Sequence, residues 1–251
     1  MTVHLPAADS GEPPLRHTVF QTSLMSALLD GVYDGELTIG ELLGQGDFGL
    51  GTFNALDGEM VVLDSVCYHL RGSGQASVAD PSLCTPFAVV TDFLPMITQV
   101  LPANLSRAEV AGIVGELIPS ENYLYAMRIT GDFDWVRTRT AARQTKPYPP
   151  LRAATKGEPV VGFDNVSGIV AGFRTPLYEQ GIGVPGGHVH FIDDARKRGG
   201  HVLDYAISRG KLELCLATDL HLALPLNKAF ERANLSPDDL AAQVAQTENH
   251  H

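Results

Sequence analysis

Positive charge is scarce in this 251-residue chain: 18 Lys and Arg face 29 Asp and Glu, a formal net charge of −11 at pH 7. Phosphate backbones and anionic lipid surfaces are bound by a surplus of Lys and Arg, so neither nucleic acid nor a membrane is expected as a partner. Cysteine is nearly absent. Cys67, Cys84 and Cys215 are odd in number and widely spaced, which excludes a disulfide framework or a CxxC metal site. They read as free thiols in a reducing compartment, so a cytoplasmic location is expected. Long apolar runs are missing as well. The longest stretch without a charged residue is 14 residues, between Asp92 and Arg107, and it contains Pro95 and Pro102. A membrane-spanning helix needs about 20 apolar residues. The opening MTVHLPAADSGEPPLR has neither the basic start nor the apolar run of a secretory signal. There is no 20–50-residue repeat and no low-complexity tract.

What is present is ordinary globular composition, 44% hydrophobic and 19% charged, in a chain long enough to bury a sizeable core. Residues 22–29 read as a short helix stopped by Asp30-Gly31. Thr38/Glu41 and Ser106/Glu109 have capping-box spacing, so helices start after Thr38 and after Ser106. Residues 50–54 and 60–68 read as strands joined at Leu56-Asp57-Gly58 into a hairpin. Further strand-like runs fall at 87–93, 123–129, 135–140, 160–163, 168–173, 188–192, 201–207 and 212–217. Ser236-Pro237 predicts the start of a last helix running to about Gln246. Strands dominate without regular helical crossovers, so the fold class is α+β, with mostly antiparallel or mixed β-sheets and a few helices. The segment KPYPP at 146–150 predicts a boundary. On that reading, residues 1–16 are a flexible lead and 17–150 a β-rich domain. Residues 151–251 then form a C-terminal domain carrying a His-x-His hairpin and an active-site tail, the whole being one catalytic unit.

The chemistry concentrates at 185–204. His188 and His190 are two apart and share one face of a strand, while Val189 and Phe191 point into packing. The charged stretch 193–200 ends in Gly199-Gly200 and suits a turn, and His201 opens the returning strand. The hairpin can thus gather three imidazoles, the commonest side-chain ligands for divalent transition metals, with coordination positions left open for substrate. Zinc is the first expectation, although nitrogen-rich sites also take Fe, Mn, Co, Ni or Cu. Taken alone, each of these histidines reads as an ordinary core or surface residue, as His17, His69 and His221 do. Glu59, directly after the Asp57-Gly58 turn, reads alone as an exposed strand-end carboxylate. Arg137 and Arg139 alternate with Val136, Thr138 and Thr140, so both are expected on one strand face. There they are either solvated or able to hold a substrate carboxylate.

Five stretches in order carry a resemblance: LLDGVYDGELTIGELLGQGDFGLGTFNALDGEM (28–60), YHLR (68–71), TPF (85–87), RTRTAARQTKPYPPL (137–151) and PGGHVHFIDDARKRGGHVLDY (185–205). Together the chain resembles bacterial α-acetolactate decarboxylases over about residues 19–248. That resemblance implies a dimeric zinc enzyme of two-domain α/β-type architecture, converting 2-acetolactate to acetoin and CO2 on a route to butanediol. It implies that His188, His190 and His201 bind Zn2+. It also implies that Glu59 and Arg139 act in the site, that Thr52 lies near the metal, and that Glu248 enters from the C-terminal tail. Loss of CO2 would leave an enediolate to be protonated on one face. Ala141-Ala142 depart from the Val-Pro common in the family, and Gly187 stands where many members carry a larger residue, leaving room beside the metal. The alternative that a His-x-His strand pair allows is a cupin-like metal-dependent oxygenase or isomerase.

Overall fold

The structure is a computed structural model, described over residues 16–248. In chain order the first elements are β1 (Thr18–Thr22), α1 (Met25–Leu29), β2 (Leu37–Thr38), α2 (Ile39–Leu42), β3 (Phe48–Thr52), β4 (Glu59–Leu63), β5 (Val66–Leu70), β6 (Ala76–Val78), β7 (Cys84–Thr85) and β8 (Ala88–Thr91). There follow β9 (Ile97–Leu101), β10 (Leu105–Ser106), α3 (Arg107–Leu117), β11 (Leu124–Arg139), α4 (Leu151–Ala154), β12 (Val161–Thr175), β13 (Gly186–Asp193) and β14 (Gly199–Ala217). The last are β15 (Asp219–Ala223), α5 (Lys228–Arg232) and α6 (Leu240–Glu248). Both capping boxes form: Thr38 and Ser106 each accept from the backbone of the residue three ahead, and Glu41 and Glu109 reach back. No helix among the described residues is long and apolar enough to cross a membrane.

Two large sheets make the α+β architecture. One is seven-stranded, in the order β15-β1-β8-β3-β4-β5-β6, antiparallel except for the β1–β15 pair. The other is antiparallel, in the order β10-β14-β11-β12-β13, with β9 also on β14. Within it β13 returns to pair with β14 over three positions, so β11, β12, β13 and β14 form a closed circuit. A shared apolar core joins the two sheets, with Leu50 and Val61 from the first packed in one cluster with Ala171, Phe173 and Ile192 from the second. The segment 146–150 lies between β11 and β12, which are neighbours in one sheet, so the sheets do not divide at residue 150.

The structure corrects several sequence-based boundaries. Residues 60–68 are not one strand. Asp64 and Ser65 both take positive φ, 50° and 63°, and turn β4 tightly into β5. The expected breaks near Gly131 and within 207–212 are absent. Gly131 faces Gly210 in mid-strand, and a Cβ on Gly131 would meet the Arg209 carbonyl oxygen at 2.3 Å. These glycines mark close approach of two backbones, not chain reversal. The last helix begins at Leu240, after a turn at 238–239 that follows Pro237, rather than at Pro237 itself.

The Gly199-Gly200 pair serves the closure of the circuit. A Cβ on Gly199 would lie 2.2 Å from the Phe191 carbonyl oxygen, and one on Gly200 would lie 2.8 Å from the hydroxyls of Thr138 and Thr140. Gly187 has open space where its Cβ would be. Gly199→Ala is therefore expected to destabilise the fold by about 1–3 kcal/mol. Gly187→Ala should stay within about 0.5 kcal/mol of the parent. Denaturant unfolding of both variants checks the contrast.

Candidate metal centre and active site

Strand register builds the site. Arg139 is the Cα partner of His201, and His201 is the Cα partner of His190, so the three residues form one row across β11, β14 and β13. His188, two residues before His190, pairs with Phe173 of β12. The three imidazoles converge, with ring centroids 5.1–5.4 Å apart. One ring nitrogen from each lies within 4.8 Å of those of the other two. His190 and His201 are buried and His188 is partly buried.

The protonation state follows from the surroundings. Nδ1 of His190 lies 2.7 Å from the carbonyl oxygen of Met60. A carbonyl only accepts, so Nδ1 carries the hydrogen and Nε2 presents its lone pair. That Nε2 is buried and has no hydrogen-bond partner. Burial, against the Met60 hydrogen bond, pushes His190 down to about 4. Burial first, then the neighbouring histidines and the cations of Arg139 and Arg107, hold His188 and His201 well below the usual imidazole range. Three neutral imidazoles with convergent nitrogens, one of them an orphaned buried acceptor, fit a divalent transition metal.

The first sheet brings up the carboxylate. A Cβ on Gly58, which has φ +88°, would collide with the Leu70 carbonyl oxygen at 2.2 Å. The turn is held by Thr52 Oγ1, which donates to Gly58 O at 2.7 Å, and by the ring Nε2 of His69 against Asp57 O. His69 itself is buried and stacks on Phe53, the hydrogen-bonded core histidine that its isolation in sequence suggests. Glu59 opens β4 beyond that turn. Its Oε1 accepts from the Ala141 backbone N–H at 3.2 Å, and its Oε2 lies 3.8 Å from His190 Nε2. The exposed strand-end reading of Glu59 therefore does not hold, since its side chain is 16% exposed.

Arg137 and Arg139 part company. A register shift follows Arg137, which is half-exposed and pairs with Asp164 at 2.9 Å. Arg139 is buried. One of its terminal nitrogens donates to the carbonyl oxygen of Thr247 in α6, and the other lies 3.5 Å from Glu158 Oε2. Nε and the nitrogen facing Glu158 make no hydrogen bond.

A single cavity is lined by Thr52, Glu59, Arg139, Glu158, His188 and His201, with Met25, Leu28, Leu56, Phe87, Ala141 and Leu151 among its other walls. Glu158 was not singled out from sequence. In Lys156-Gly157-Glu158 it reads as part of a solvated turn, and only its burial beside Arg139 marks it. Gly187 does not line this cavity. It borders a separate groove with Arg107, Val189 and Tyr205, so a small residue there does not widen the space beside the histidines. Glu248 ends α6, and its side chain lies outside the described residues, as do His250 and His251.

The sequence model of the family described as Alpha-acetolactate decarboxylase matches residues 19–237. The chain is 47% identical over 231 residues to the alpha-acetolactate decarboxylase of Klebsiella aerogenes, covering 92% of this chain and 89% of that protein. It is 42% identical over 230 residues to that of Bacillus subtilis strain 168, covering 92% and 90%. The crystal structure of alpha-acetolactate decarboxylase from Bacillus subtilis strain 168 superposes with a TM-score of 0.91 at 41% identity, over 93% of this chain and all of that one.

Two outcomes follow from the histidine geometry. His188→Ala is expected to lose most bound divalent metal, read by elemental analysis of the purified protein. In protein stripped by chelation, the depressed imidazoles bind fewer protons folded than unfolded, so stability rises with pH. Their contribution is complete above about 6.5, the unfolded imidazole value. It is lost as pH falls toward the folded value, about 4 for His190. Urea midpoints of the stripped protein across that window should fall more steeply than those of a His190→Gln variant.

Proposed function

The chain belongs to the alpha-acetolactate decarboxylase family, and from that premise we propose that it converts 2-acetolactate to acetoin and CO2 in the cavity lined by His188, His201, Glu59 and Arg139, with His190 completing the histidine cluster. It is a lyase, and nothing favours the cupin-like oxygenase or isomerase. His188, His190 and His201 would hold the metal, with zinc the ion we assign. A metal held there would supply a Lewis acid for the negative charge that develops as CO2 leaves.

One observation carries the reading. Beside the cavity His190 Nε2 is a buried acceptor without a hydrogen bond, and in its wall Nε and one terminal nitrogen of Arg139 are buried donors without one, the terminal nitrogen 3.5 Å from Glu158. Buried polar atoms left unmet cost about 1–3 kcal/mol each. A metal answers the first and a substrate carboxylate answers the second.

The remaining steps fall to the chain's own groups. Arg139 receives the carboxylate and orients it for departure as CO2. Its guanidinium is fixed by Thr247 O on one side and Glu158 on the other, so it does not have to be ordered on binding. Glu59, fastened by the Ala141 N–H, is placed against the histidines to take up one proton from water in each turnover and hand it to the carbon that has lost CO2, returning to the carboxylate. Delivery from one wall gives one acetoin enantiomer. Glu248 is the second candidate for that proton. Thr52 shapes the wall and secures the turn that presents Glu59. Apolar neighbours such as Leu56 and Phe87 limit water, which strengthens every charge interaction inside. Assembly as a homodimer and a cytoplasmic location are part of the same proposal, supported by the family resemblance and by three free cysteines.

The test is acetoin release from racemic 2-acetolactate. Activity should vanish on chelation and return with zinc. Arg139→Ala should keep its metal and lose at least about 100-fold in kcat/KM. Turnover that ignores metal removal, or a fully active Arg139→Ala, contradicts the assignment.

A further inference from the structure

Glu158 enters that chemistry only as a neighbour of Arg139, yet its side chain is 6% exposed and lines the same cavity as His188 and His201. Its carboxylate oxygen lies 3.5 Å from a terminal nitrogen of Arg139, whose other terminal nitrogen donates to Thr247 O. The guanidinium thus stands between the α6 end and the loop after α4. It already faces one carboxylate before an anionic substrate arrives.

Decarboxylation moves negative charge away from the carboxylate that Arg139 binds. A cation that grips this carboxylate tightly stabilises the reactant more than the transition state, because the charge it grips is leaving. An anion fixed beside the same guanidinium opposes that imbalance. It shares the cation's field and repels the incoming carboxylate most strongly before CO2 begins to depart.

We propose that Glu158 is a positioning residue that tempers the hold of Arg139 on the substrate carboxylate, exchanging ground-state affinity for rate. The proposal rests on the decarboxylase reading above. It assigns Glu158 no proton and no metal. Its effect passes through Arg139 and through repulsion of the bound carboxylate.

The test compares wild type, Glu158→Gln and Glu158→Asp, each loaded with zinc and checked for metal content and melting temperature. Steady-state kcat and KM are measured with 2-acetolactate. The inhibition constant is measured for 2-hydroxy-2-methylbutanoate, which has the hydroxyl and carboxylate but no ketone to accept electrons. In Glu158→Gln, KM and the inhibition constant should both fall about 5- to 10-fold and kcat should fall by a similar factor, leaving kcat/KM nearly unchanged. Glu158→Asp, which keeps the charge, should return all three toward wild type. A raised KM at unchanged kcat would mean that Glu158 only builds the site. A lost kcat at unchanged inhibition constant would make it a proton donor. Either result overturns the proposal, as does an unchanged enzyme or a Glu158→Gln chain that fails to fold or to load zinc. Wild-type protein that releases no acetoin would overturn the functional reading itself, which separates the two failures.

Discussion

The site depends on one backbone constraint, the short pairing of β13 with β14 that sets His190 opposite His201. A shift of a single residue in strand register reverses every side chain between faces. His188 and His190 reach one side only because they alternate with Val189 and Phe191, which are buried in the second core cluster. His201 meets them only because Gly199 and Gly200 let β14 approach Phe191 and the Thr138 and Thr140 hydroxyls without a side chain between. The same register carries Arg139 into the row from β11. The three histidines and Arg139 are therefore parts of one ladder, fixed by backbone hydrogen bonds before any ligand binds.

The first sheet supplies orientation and charge. The Met60 carbonyl oxygen selects the tautomer of His190, and Glu59, the residue before it, brings a carboxylate to the same imidazole. A hydrogen bond donated by the far N–H of a metal-ligating imidazole to a carbonyl fixes both ring angle and tautomer, which is how outer contacts tune a metal site. The C-terminal part of the chain adds the last contacts, through Thr247 O and Glu158 on Arg139. The cavity thus needs both sheets, the loop after α4 and α6. This explains how a chain of net charge −11 can hold an anionic substrate. The positive groups that matter are buried and act at contact distance, whereas the surface charges are screened within about 8–10 Å.

The parts legible in the sequence are those in which spacing alone dictates geometry. Alternation on a strand put His188 and His190 on one face. The charged stretch after Asp193 pointed to a returning strand that carries His201, although Gly199 and Gly200 belong to that strand and not to its turn, and two capping boxes located helices that form as read. The hairpin turn placed Glu59, but whether that carboxylate is solvated depends on Ala141 and His190, far away in sequence. Glu158 was illegible for the same reason: nothing in Lys156-Gly157-Glu158 announces that an arginine from β11 covers it. Glycines misled where they serve packing. The strand runs read from sequence left gaps at Gly131 and at 208–211, yet Gly131 and Gly210 lie opposite each other inside two long paired strands. Arg137 and Arg139 looked equivalent by alternation, and the register shift beside Arg137 leaves only the latter buried in the cavity.

The central claim is that His188, His190 and His201 form one open metal site. X-ray absorption at the zinc K-edge of the reconstituted protein tests it most directly. The account predicts three imidazole nitrogens at about 2.0–2.1 Å with oxygen completing the shell, and no sulfur. A shell containing sulfur at about 2.3 Å, or one lacking imidazole scattering, would contradict it.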